Sequence, residues 1–151
     1  MKKATVWIGI VMASLLALSA HAATKEEAKA MADKAIAYIE KNGLEKAKTE
    51  IKNKDGEFIK GELYVFIMDM EGKMISHGVK DRLDGKSLLK LKTPDGVYFI
   101  QEMIKVIKEK GEGWVEYVWA HPKTGKVTPK STYVKKPKDK DIYVACGVYT
   151  E

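Results

Sequence analysis

The chain has 151 residues, 45% of them hydrophobic and 32% charged, with 27 basic against 21 acidic side chains and a net charge of +6. That length supports one domain with a real core, and a single cysteine excludes an intramolecular disulfide. The lysines are interspersed with carboxylates rather than gathered in one stretch, which argues against a nucleic-acid partner.

The N-terminus reads as an address. Lys2 and Lys3 precede an apolar run from Val6 to Leu18, and Ala20, His21 and Ala22 form an A-x-A cleavage site. The run is short against the roughly 20 residues a membrane span needs. Residues 1–22 are therefore expected to be a signal peptide and residues 23–151 an exported, periplasmic domain. The alternative is an inner-membrane anchor that leaves the domain facing the periplasm.

Thr24 and Glu27 have the spacing of a capping box. Ala28, Met31, Ala32, Ala35 and Ile39 then recur at helical intervals up to Gly43, and Leu44, Ala47 and Ile51 continue for a few more turns. Leu63 to Asp69 is apolar on both faces, the mark of a central strand covered on both sides. Glu71 and Gly72 make a tight turn, with Asp69 a turn residue beside them, and Lys73 to His77 returns as a second strand. The stretch from Val79 to Lys92 is polar, with a short helix expected at Ser87–Leu91. Asp95 is a candidate N-cap for a helix whose apolar stripe is Phe99, Ile100, Met103, Ile104 and Ile107, ended by Gly111.

Three strand-like runs follow between Gly113 and Tyr149, the last two separated by a charged turn at Lys135 to Lys140. Cys146 lies in the apolar run Ile142 to Val148 and reads as a small buried hydrophobe. The fold class is α+β: five short strands in one antiparallel sheet, a long N-terminal helix and a helical crossover, with helix covering both faces.

Five blocks in this order resemble single Cache domains of the second type. They are G-E-L-Y-V-F-I-M-D-M-E-G-K-M-I-S-H-G from Gly61, L-L-K-L-K-T-P-D-G-V-Y-F-I from Leu88, G-W-V-E-Y-V-W from Gly113, P-K-S-T-Y-V-K from Pro129 and A-C-G-V-Y from Ala145. The resemblance implies an extracytoplasmic sensor with a PAS-like sheet in strand order 2-1-5-4-3. It also implies a small carboxylate ligand of the acetate, propionate or pyruvate class, held between sheet and crossover. The implied partner is a membrane histidine kinase or chemoreceptor, in signal transduction or chemotaxis. In a receptor the last strand leads into a membrane helix, whereas this chain stops at Glu151, so a free-standing sensor is expected. The competing reading is an interaction module that pairs, with itself or a receptor, through the N-terminal helix.

A buried carboxylate must be paired with a cation and a few directed donors. Lys130 is the candidate cation, a lysine inside an otherwise uncharged strand. Tyr117 and Trp119 lie two apart and share a face, each offering an apolar wall and one donor. Tyr133 could do the same from the next strand. Lys130 and Tyr133 are three apart, so they line one pocket only if a bulge near Pro129 breaks the alternation. Tyr64 and Tyr98 complete the aromatic candidates. His77 is the remaining donor and would add a pH-dependent term near neutrality. No metal or cofactor is expected: His77 and His121 stand at no recognised ligand spacing, and C-x-x-C-H is absent. Ser131 and Cys146 have no base at a recognisable spacing, so no enzyme is expected.

Overall fold

A computed structural model describes residues 22–150. The expected signal peptide therefore lies, but for Ala22, outside the described residues. Helix α1 (Lys25–Asn42) starts with the capping box: Thr24 Oγ1 accepts from Glu27 N at 3.2 Å and Glu27 Oε2 accepts from Thr24 N at 2.9 Å. Gly43, at φ 86°, turns the chain into α2 (Leu44–Glu50).

The strands are β1 (Ile59–Lys60), β2 (Leu63–Asp69), β3 (Met74–His77), β4 (Glu112–Ala120), β5 (Val127–Lys135) and β6 (Ile142–Tyr149). Their order is β1-β2-β6-β5-β4, with β3 also paired to β2 and every pairing antiparallel. The expected order 2-1-5-4-3 is the run β3-β2-β6-β5-β4. The two-residue β1 is an addition the sequence did not signal, because two residues show no periodicity. The expected helix at Ser87–Leu91 is absent: Ser87 bridges to Lys73, and the helical turn in this stretch is a 3-10 turn at Asp81–Leu83.

Strand alternation splits the core in two. Leu63, Val65 and Ile67 of β2 join Val144, Cys146 and Val148 of β6 against α1. Tyr64, Phe66 and Met68 join Tyr143, Ala145 and Tyr149 against α3 (Phe99–Lys110). On α1, Ala28, Ala32 and Ala35 are wholly or almost wholly buried, so the helix backbone lies close on the sheet. Cys146 is buried there too, its thiol pushed up to about 12 by burial.

Asp69 Oδ1 accepts from Glu71 N at 2.9 Å and Lys73 N at 2.8 Å, the turn role expected of it. The N-cap of α3 is Tyr98 rather than Asp95, whose carboxylate instead accepts from the Thr93 hydroxyl in the preceding turn.

Candidate ligand-binding site

The sheet face toward α3 carries the candidate site. Strand β4 presents Tyr117 and Trp119 there, and β5 presents Lys130 and Thr132. Tyr117 pairs with Lys130 across the two strands, and Tyr117 Oη lies 3.0 Å from Thr132 Oγ1. Gly147 of β6 clears the way for these side chains. A Cβ at that position would collide with the Thr132 hydroxyl, lie 2.7 Å from the Ser131 carbonyl and 2.9 Å from Lys130 Cε.

Lys130 is 2% exposed. Its Nζ donates to Tyr64 Oη at 2.7 Å, its one hydrogen bond among the described residues. The ammonium also lies 4.1 Å from the Tyr64 ring centroid, 4.9 Å from that of Tyr149 and 5.8 Å from that of Phe66. Burial, chiefly, brings its pKa down to about 7. The chain of hydroxyls beyond it has a fixed direction. Tyr149 Oη donates to the Ala120 carbonyl at 3.2 Å, and a carbonyl can only accept, so Tyr64 Oη must supply the proton of its 2.9 Å bond to Tyr149.

His77 is 2% exposed and stacks on Phe66 at 5.6 Å. Its Nδ1 accepts from Val79 N at 3.2 Å and Lys80 N at 3.1 Å, so the ring proton sits on Nε2. Burial, then the charges of Lys130, Lys80 and Lys52, push its pKa down to about 3. This corrects the expected titration near neutrality: His77 is a neutral donor throughout the physiological range.

A hollow beside them is lined by Tyr64, Phe66, His77, Phe99, Tyr117 and Trp119 among others, and Lys130 adjoins it through its bond to Tyr64. Its volume is about 10 Å³, close to the least that holds one water. Phe99 stacks on Tyr117 with ring centroids 4.5 Å apart and closes the top.

Two expectations fail. Tyr133 faces α1 rather than the hollow, where its hydroxyl bonds to Lys29 Nζ at 2.9 Å and to Glu112. The reason is the unbroken register of β5 against both neighbours, which keeps Lys130 and Tyr133 on opposite faces. Pro129 causes no bulge. Its carbonyl accepts from Thr150 N, so its main-chain polar groups point toward the end of β6 and the ladder to β4 loses nothing. Tyr98 is 37% exposed beneath the Lys92 ammonium. The helix begins one residue later, so Phe99 takes the inward position.

Sequence reasoning missed Phe66, Thr132 and Tyr149. Thr132 was within reach, because it lies two residues from Lys130 on the same strand. Tyr149 was not, since its placement depends on the β5–β6 register. Among the described residues no cluster of His, Cys, Asp and Glu could hold a metal ion.

The Cache domain family matches residues 16–151. This chain is a Cache domain, of the second type. A methyl-accepting chemotaxis protein of Pseudomonas putida, McpP, is 30% identical over 88 residues, 58% of this chain and 16% of that receptor. The chain thus spans about a sixth of the curated relative it matches. The structure of a methyl-accepting chemotaxis protein from Vibrio parahaemolyticus superposes with a TM-score of 0.72 at 25% identity, covering 83% of this Cache domain and 87% of that chain. A second structure, described as the basis for carboxylic acid recognition by a Cache chemosensory domain, gives a TM-score of 0.67 at 25% identity, covering 83% and 88%. This Cache domain is therefore homologous to chemoreceptor sensor domains. No described helix is long and apolar enough to cross a membrane.

Proposed function

We propose that this Cache domain binds a small organic acid of the acetate, propionate or pyruvate class and relays its occupancy to a membrane chemoreceptor or histidine kinase. Residues 1–22 serve as the leader and residues 23–151 act in the periplasm. One observation carries the ligand class: a buried ammonium, Lys130, without a carboxylate partner among the described residues, beside an aromatic hollow. A carboxylate supplies what that ammonium lacks. Tyr117 Oη and His77 Nε2 are donors on the same hollow, and the remaining wall is apolar, which suits a short alkyl tail. The resemblance to a carboxylate-recognising Cache structure points the same way.

The test is calorimetry of the mature domain against acetate, propionate and pyruvate, with Lys130→Met beside it. Saturable one-to-one binding of at least one acid, lost in the variant, is expected. Binding of none of them removes the carboxylate assignment.

A further inference from the structure

Outside Trp119 lies a second pocket of about 270 Å³, lined by Lys80, Arg82, Lys92, Thr93 and Trp119 among others. Trp119 is the wall it shares with the inner hollow. Three cations line it and no carboxylate does. The nearby carboxylates are committed elsewhere: Asp81 and Asp84 to Lys52, and Asp95 to the Thr93 hydroxyl. Lys80, Arg82 and Lys92 have no ion pair among the described residues.

We propose that this outer pocket, lined by Lys80, Arg82 and Lys92, is a second anion-binding site for a compact oxyanion, seated beside the Lys80 ammonium that rests on Trp119. Lys80 Nζ lies 4.7 Å from the Trp119 ring centroid, so the ring already anchors one of the three charges. Burial and the neighbouring Arg82 charge both lower the Lys80 pKa, a like-charge stress that an anion would relieve. Guanidinium and ammonium donors on one rim match a carboxylate or a phosphate. The oxyanion is either a free ion or the second carboxylate of a ligand whose first occupies the inner hollow. The second case rests on the function proposed above; the first does not.

The experiment is an NMR amide titration at low salt with inorganic phosphate, propionate and succinate. It compares the native domain, Arg82→Gln/Lys92→Gln and Lys130→Met; Arg82 and Lys92 are exposed, so the double change leaves the core intact. Phosphate is expected to shift the amides of Lys80 to Leu83 and Thr93 saturably. The double variant should weaken this about tenfold or more, and Lys130→Met should leave it unchanged. Succinate binding about tenfold tighter than propionate, with the advantage lost in the double variant, assigns the oxyanion to a second carboxylate. Phosphate and propionate binding together, with no succinate advantage, assigns it to a free ion. If propionate fails everywhere while phosphate binds as expected, the inner assignment falls and the outer site stands. The outer site is overturned if neither phosphate nor succinate moves those amides, or if the double variant binds them as the native domain does.

Discussion

At the scale of single residues, Lys130 is the side chain whose burial works against folding. Its pKa falls from 10.5 to about 7. Between those values the unfolded chain binds a proton that the native state does not, so stability rises with pH across that window. The lower part of the window is cleanest, because the Cys146 thiol, ordinarily near 9 but raised by burial, acts in the opposite sense above that pH. Urea unfolding should therefore give a stability gain of up to about 1.4 kcal/mol per pH unit from about pH 7 to about 8.5. Lys130→Met should flatten that slope; an equal slope in the variant would assign the titration to another group. Under the proposed function the same ionisation should set ligand affinity. A carboxylate needs the ammonium, so its affinity should fall toward tenfold per unit above about pH 7. His77, at about 3, adds no step in this range.

Gly147 supports a second prediction at this scale. Gly147→Ala drives a methyl into Thr132, the Ser131 carbonyl and Lys130 Cε, two of which belong to the site's own strand face. Overpacking of this kind costs about 1–3 kcal/mol, and here it also displaces the cation. Thermal unfolding and calorimetry should both register the change; loss of stability with full ligand affinity would separate Gly147 from the site.

At the scale of elements, the two sheet faces were readable in β2 and β6 because both strands lack a polar side. The α1 and α3 stripes were readable because apolar residues recur every three or four positions. The shared face of Tyr117 and Trp119 followed from alternation within one strand, and Lys130 stood out as a lysine in an otherwise uncharged one. What failed needed information from between elements. Tyr133 depended on whether β5 bulges at Pro129, which its pairing with β4 and β6 decides. Tyr98 depended on a one-residue choice of helix start, and helix termini are weakly encoded when no side chain caps them, as none does here. The seating of α1 is a further element-scale property. Ala32 is fully buried against the β5–β6 surface, so Ala32→Leu should cost about 1–3 kcal/mol by overpacking. Chemical denaturation would measure it, and an unchanged midpoint would mean that α1 shifts outward without loss.

At the scale of the whole molecule, the hollow is closed. About 10 Å³ admits roughly one water, and even the smallest carboxylate is larger. The sheet cannot widen without breaking ladders, so the wall that moves is the segment over it, from the 3-10 turn at Asp81–Leu83 to Phe99. That segment contributes Leu88 and Phe99 to the hollow and has only a bridge at Ser87 as regular pairing. Few ladder bonds and an exposed outer side are the marks of a region that opens at low cost. Ligand binding should then follow an opening step. In stopped-flow fluorescence of residues 23–151, which lack Trp7, with Trp114→Phe so that Trp119 reports the site, the observed rate should level off as propionate concentration rises. A rate that climbs linearly to the diffusional range would mean that the hollow is open in solution and that no gate exists.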